Sequence, residues 1–163
     1  MLFAHAPREA LLGGIPDLMR PSNIVHLGPD IFRSVTSCLG EQLVSLLRII
    51  QEVHPDLKWY AADVDANGPL PVPRGEPTPI LIGDATALIE IAHRVNQFNS
   101  GVFVGVPSRI EKPTFRAGGL WTEDEDAAEL GDATIEVRAF DWSYWSIATA
   151  DPNLAQSIRQ RLE

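Results

Sequence analysis

A single cysteine, Cys38, is all the thiol chemistry that the 163 residues carry. An internal disulfide is therefore excluded, and so is a zinc site built on several thiolates. A reducing cytoplasm suits such a chain. No apolar run approaches the roughly 18 residues that span a bilayer. Residues 1–10 show no basic segment followed by an apolar one, so no signal peptide is expected. Cations are also short: 13 Lys and Arg stand against 22 Asp and Glu, a net charge of −9. A nucleic-acid binder needs clustered Lys and Arg to meet phosphates, so that class is not expected. Neither G-x-G-x-x-G nor G-x-x-x-x-G-K-[ST] occurs, and no G-x-S-x-G elbow is present. His5, His26, His54 and His93 lie far apart, without the spacing of a zinc site. No metal or other cofactor is expected from these absences, and no fixed-period repeat or low-complexity tract breaks the chain.

What is abundant is apolar residue at helical spacing. Phe32, Val35, Leu39, Leu43, Leu46, Ile50 and Val53 recur every three or four residues, and Glu41, Ser45, Arg48 and Glu52 form the clearest polar line. This predicts a helix over 31–53, or one beginning near Ser37, since Thr36 and Ser37 are good N-caps. A helix apolar on most sides is buried by several neighbours. The hydrophobic share of 45% and the length fit one globular domain over 1–163. Its first 29 residues read as an irregular Pro/Gly-rich segment, with a short helix over 8–12 and a short strand at 24–27.

Further along, 57–64 alternates as a strand, 65–79 holds five prolines and reads as a stiff loop, and 80–82 is a short strand. Asp84 caps a helix expected over 85–98, followed by an apolar strand at 102–106. Thr122-Glu123-Asp124-Glu125 has the capping-box pattern, and Gly131 sits where a helix would stop, so 123–130 is expected to be helical. Strands at 134–140 and 144–149 meet at Asp141-Trp142-Ser143 as a hairpin, and Asp151-Pro152 opens a last helix to 162. The fold class is α/β or α+β: a single mixed sheet of about five strands packed by three to four helices, ending in a β-hairpin and a helix. The helix after 82 is expected to cross over between parallel strands, with the hairpin near a sheet edge.

Several stretches carry candidate chemistry. Asp63-Val64-Asp65-Ala66-Asn67-Gly68 matches the first half of a calcium loop, but Arg74 stands where the bidentate Glu belongs, so a turn at Asn67-Gly68 is the favoured reading. Cys38 near a helix N-terminus would have a lowered pKa, although its place on the apolar stripe points to a packing role. From Glu111 onward there are 11 acidic and 5 basic residues, which places −6 of the −9 in the last third. Glu123, Asp124, Glu125 and Asp126 are the densest charge. They serve either to stabilise a helix start or to meet a basic surface. Trp121, Trp142 and Tyr144 are aromatic anchors for an interface, or core residues under the last helix.

The leading expectation is thus an acidic protein-binding domain, cytoplasmic, of the immunity or inhibitor type. It would dock a basic protein through Trp121, Glu123, Asp124, Glu125, Asp126, Trp142 and Tyr144. The alternative is a small hydrolase-like enzyme using Cys38, or a metal held near Asp63 and Asp65. A homo-oligomer joined along the hairpin edge is the third expectation.

Overall fold

Helix α1 is Gly40–Val53, and its exposed line is Glu41, Ser45, Arg48 and Glu52, the polar line of the sequence. Leu43, Leu46, Leu47 and Ile50 are buried. Each such side chain contributes about 1.5–3 kcal/mol of transfer free energy. The helix starts nine residues after the apolar periodicity does. Ahead of it, the Arg33 and Ser34 amides donate to the carbonyls of Asp30 and Pro29 and close a turn. Arg33 and Cys38 both have left-handed backbone, with φ of 52° and 59°, which no α-helix continues through. The start near Ser37 was the closer of the two expectations. At the first turn, Gln42 Oε1 accepts the Leu39 amide at 3.0 Å and the Trp145 indole N–H at 3.2 Å.

The computed structural model describes residues 23–70, 75–126 and 128–162. The expected helix at 8–12 and part of the proline-rich loop fall outside them. Six strands form one sheet in the order β1-β6-β5-β4-β2-β3. They are β1 Asn23–Leu27, β2 Leu57–Asn67, β3 Ile80–Gly83, β4 Gln97–Pro107, β5 Ile135–Phe140 and β6 Tyr144–Thr149. Helices α2 Ala85–Ala92 and α3 Pro152–Leu162 join α1 against the sheet. The architecture is α+β, as expected, but every neighbouring strand pair is antiparallel, so the sheet is not mixed. Strands β3 and β4 both oppose β2 and so run the same way. The crossover through α2 therefore does join parallel strands, with β2 lying between them. The hairpin β5–β6 is not at an edge, because β1 covers β6 and β4 covers β5. That removes the hairpin edge as an oligomer interface.

Helix α2 stops at Ala92, short of the expected 98. Backbone bonds decide this. The Asn96 amide donates to Asn67 O at 3.1 Å and the Phe98 amide to Cys38 O at 2.7 Å, so the chain is drawn into the sheet. Phe98, assigned by spacing to the helix, instead lies in β4 and packs edge-on against Phe103 and Trp145. At the far end, His54 caps α1 and pairs at 2.6 Å with Asp151, whose other oxygen accepts the Asn153 amide at the start of α3.

Strand alternation divides the core in two. Trp59, Ala61, Phe103, Ile135, Val137, Trp145 and Ile147 face the helices. Tyr60, Ala62, Val102, Val104 and Ala148 face the other way. No helix covers that second face among the described residues. The long connection from β4 to β5 lies over it instead, through Leu120, Leu130 and Phe115. Gly131 permits the turn back, with φ of 58° and room for no Cβ, since one would sit 2.4 Å from Thr114 O.

Candidate functional site

Residues 123–130, expected to be a helix, are irregular wherever they are described. The reason lies on β5. In that strand Ile135, Val137 and Ala139 point to the helices, so Glu136 and Arg138 point under the connection, where both are buried. Arg138 donates to the carbonyl of Thr122 at 3.0 Å, to the carbonyl of Asp124, and to Asp126 Oδ1 at 2.7 Å. Those carbonyls are the ones a first helical turn would need for its own amides. Charge-assisted bonds to a guanidinium are roughly twice as strong as neutral ones. Arg138 therefore wins, and 121–126 becomes a strap bound to the sheet.

A second arginine holds the same strap. Arg116 donates to Glu136 at 2.6 and 3.1 Å, to Asp124 at 2.8 Å and to Glu129 O at 3.2 Å. Burial works against its charge, but Glu136 and then Asp124 outweigh it and hold its pKa above the ordinary value. The strap closes on β2 and β4 as well. The Thr122 amide donates to Asp63 Oδ2 at 2.9 Å, and Thr122 Oγ1 accepts the Gly101 amide at 3.1 Å. Asp124 turns inward, accepting the Trp121 amide at 2.9 Å.

Between this strap and the strand ends lies a cleft of about 650 Å³. Asp63, Asn99 and Ser100 form its floor side, Trp121, Thr122, Glu123 and Asp124 its strap side, and Phe140 and Asp141 its third wall. Asp63 reaches it through a bulge. The β2–β4 register shifts between Ala62 and Asp65, and Asp63 has φ of 49°. Asp141 reaches it from a tight turn in which Asp141 and Trp142 both have left-handed φ, 45° and 58°. Phe140 pairs with Tyr144, so the loop is the three residues 141–143, and Asp and Trp hold left-handed positions where Gly or Asn is usual. Local strain of this kind is tolerated where surroundings over-determine it. Trp121 is 41% exposed, with its indole N–H on Gly118 O, and Trp142 is 56% exposed beside the cleft.

The acidic run therefore splits. Asp124 and Asp126 are bonded inward to the two arginines, while Glu123 and Glu125 stand exposed. Of the seven expected interface residues, Trp121, Glu123 and Asp124 line the cleft. Trp142 flanks it, and Tyr144 lies behind its wall, stacked on Phe140 at 5.1 Å. Asp126 points away, to His26 and Ser146 as well as Arg138, and Glu125 does not line it. Sequence reasoning missed Asn99, Ser100, Phe140, Asp141, Arg116 and Arg138. One signal was available for Arg138: two charged residues alternating with apolar ones in Ile135–Phe140 imply a polar layer under whatever covers that face.

Comparison with family models, with curated proteins and with solved structures finds no significant match. What the site can do must come from its own chemistry.

Cys38 is buried and its thiol donates to Tyr144 O at 3.3 Å. Burial pushes its pKa up to about 11, against the lowering expected from a helix N-terminus. No histidine bonds to it among the described residues: His26 is on Asp126 and His54 on Asp151. Asp63 and Asp65 do not form a calcium loop either. They lie in β2, Asp63 occupied by Thr122 and Asp65 by Asn99 Nδ2 at 3.2 Å. Among the described residues no three His, Cys, Asp or Glu side chains converge as a metal site needs. No helix among them is long and apolar enough to cross a membrane.

Proposed function

We propose that the protein is a binding domain that docks a basic protein partner by taking one of its cationic side chains into this cleft. The observation that carries the reading is the state of two carboxylates. Glu123 and Asp141 both line the cleft, and neither carboxylate accepts a hydrogen bond among the described residues. The other acids nearby are already engaged by Arg116, Arg138 or backbone amides. Trp121 and Phe140 supply ring faces, which attract a cation electrostatically. Trp142, largely exposed at the rim, is the kind of rigid anchor that dominates protein interfaces. The net charge of −9 steers a cationic partner and repels an anionic one. An inhibitor or immunity-type role against a cationic protein, in a reducing cytoplasm, is the setting this chemistry suits.

A hexa-arginine peptide is the probe for this reading, with affinity measured by calorimetry at two salt concentrations. E123Q/D141N is expected to weaken binding about tenfold, the scale of a hot-spot loss of about 1.4 kcal/mol. E41Q/E52Q, on the exposed line of α1, is expected to leave it within about twofold. Equal weakening by both pairs would reduce the cleft to part of a diffuse negative surface and defeat the proposal.

A further inference from the structure

The side-chain donors of Asn99, Ser100 and Trp121, all on the cleft wall, are engaged inside the protein. Asn99 Nδ2 donates to Asp65 Oδ2 at 3.2 Å, Ser100 Oγ to Asp63 O at 3.1 Å, and the Trp121 indole N–H to Gly118 O at 3.1 Å. The bond to a carboxylate fixes which end of the Asn99 amide is which, so Oδ1, an acceptor, is what this side chain offers a ligand. Asp63 likewise keeps Oδ1 as an acceptor while Oδ2 takes the Thr122 amide. A ligand must therefore bring donors, and several of them.

The rings beside these acceptors are held in place. The indole bond orients Trp121, and Phe140 is backed by Tyr144, with centroids 5.1 Å apart and planes 21° from parallel. Fixed rings next to acceptors suit a flat cation. A guanidinium is planar, carries five N–H donors in a rigid fork, stacks on aromatic faces and is weakly hydrated, whereas an ammonium is a compact, strongly hydrated point charge with three donors. We propose that the cleft discriminates in favour of guanidinium over ammonium, so that the side chain it takes from the partner is arginine, with Asn99 and Trp121 setting the preference. The inference rests on reading the cleft as a cation site. It goes further than that reading, because Glu123 and Asp141 alone would attract either cation, and net charge does not tell the two apart.

Hexa-arginine and hexa-lysine match in length and formal charge, so calorimetry of both against the full chain, at one salt concentration, separates donor geometry from charge. Hexa-arginine is expected to bind about tenfold tighter, the scale of one added charge-assisted hydrogen bond. N99A and W121L, at a half-buried and an exposed position, are each expected to cut that ratio to about threefold or less, chiefly by weakening hexa-arginine. E123Q/D141N should weaken both peptides and leave the ratio standing. Equal affinity for the two peptides, with E123Q/D141N weakening both, would overturn the preference and leave the cation reading intact. A ratio unchanged in both N99A and W121L would also overturn it, by placing the arginine preference outside the cleft. Failure of both peptides to bind, or to respond to E123Q/D141N, would instead overturn the cation reading and this inference with it.

Discussion

Replacing Arg138 with methionine is expected to destabilise the protein by about 3–5 kcal/mol, the cost of removing one partner from a buried ion pair. The guanidinium is only 2% exposed and meets Glu136, Asp126 and two strap carbonyls. Methionine fills much of the volume but satisfies none of these groups. Glu136 keeps Arg116, so its carboxylate is not orphaned. The carbonyls of Thr122 and Asp124 are, and each unmet buried group costs about 1–3 kcal/mol. For a domain of this size the loss corresponds to a fall in Tm of roughly 10 °C. Urea and thermal unfolding would measure it. A loss under about 1 kcal/mol, the value of an exposed ion pair, would mean that the strap is not held as described.

Gly40→Ala is the second large effect, and here two forces oppose each other. Gly40 opens α1, where alanine should help by about 0.5–1 kcal/mol through helix propensity. Crowding points the other way. A Cβ at this position would lie 2.1 Å from Val95 O and 2.2 Å from Ala92 O. Both are backbone atoms, at the point where α2 ends and the chain turns into β4, and Gly40 itself donates to Asn96 O at 3.2 Å. No rotamer change relieves such a contact, so α1 and α2 must separate. Overpacking of this kind costs about 1–3 kcal/mol or more. The net expectation is a loss of about 1–2 kcal/mol by urea unfolding. A neutral or stabilised variant would show that the two helices do not approach so closely.

Local pattern explains what was legible in the sequence. The exposed face of α1, the hairpin at Asp141-Trp142-Ser143 and the Asp151-Pro152 start of α3 each rest on neighbours a few residues apart. The alternating strand at 57–64 was found, but its extension to Asn67 was hidden because Asp63 sits in a bulge. The failures share one cause. Glu123 to Asp126 carries the acids of a helix start, and the same letters serve a strap when an arginine 12 to 16 residues away claims its carbonyls and carboxylate. Likewise 93–98 has helical spacing but is paired to Cys38 and Asn67, far away in the chain. The cleft was least legible. It gathers β2, β4, the strap and the β5–β6 turn, and two of its carboxylates depend on left-handed backbone that no local pattern announced. Trp121, Glu123 and Asp124 were found through their charge and rings rather than through their geometry.

The most direct test is a chemical-shift map of the protein titrated with hexa-arginine. The account predicts that the Trp121 indole N–H and the amides of Ser100, Thr122, Glu123 and Asp141 move first and together, while Glu125 and the exposed line of α1 stay near their starting positions. Shifts centred on Glu125 and the surface acids, with the Trp121 indole unmoved, would contradict it.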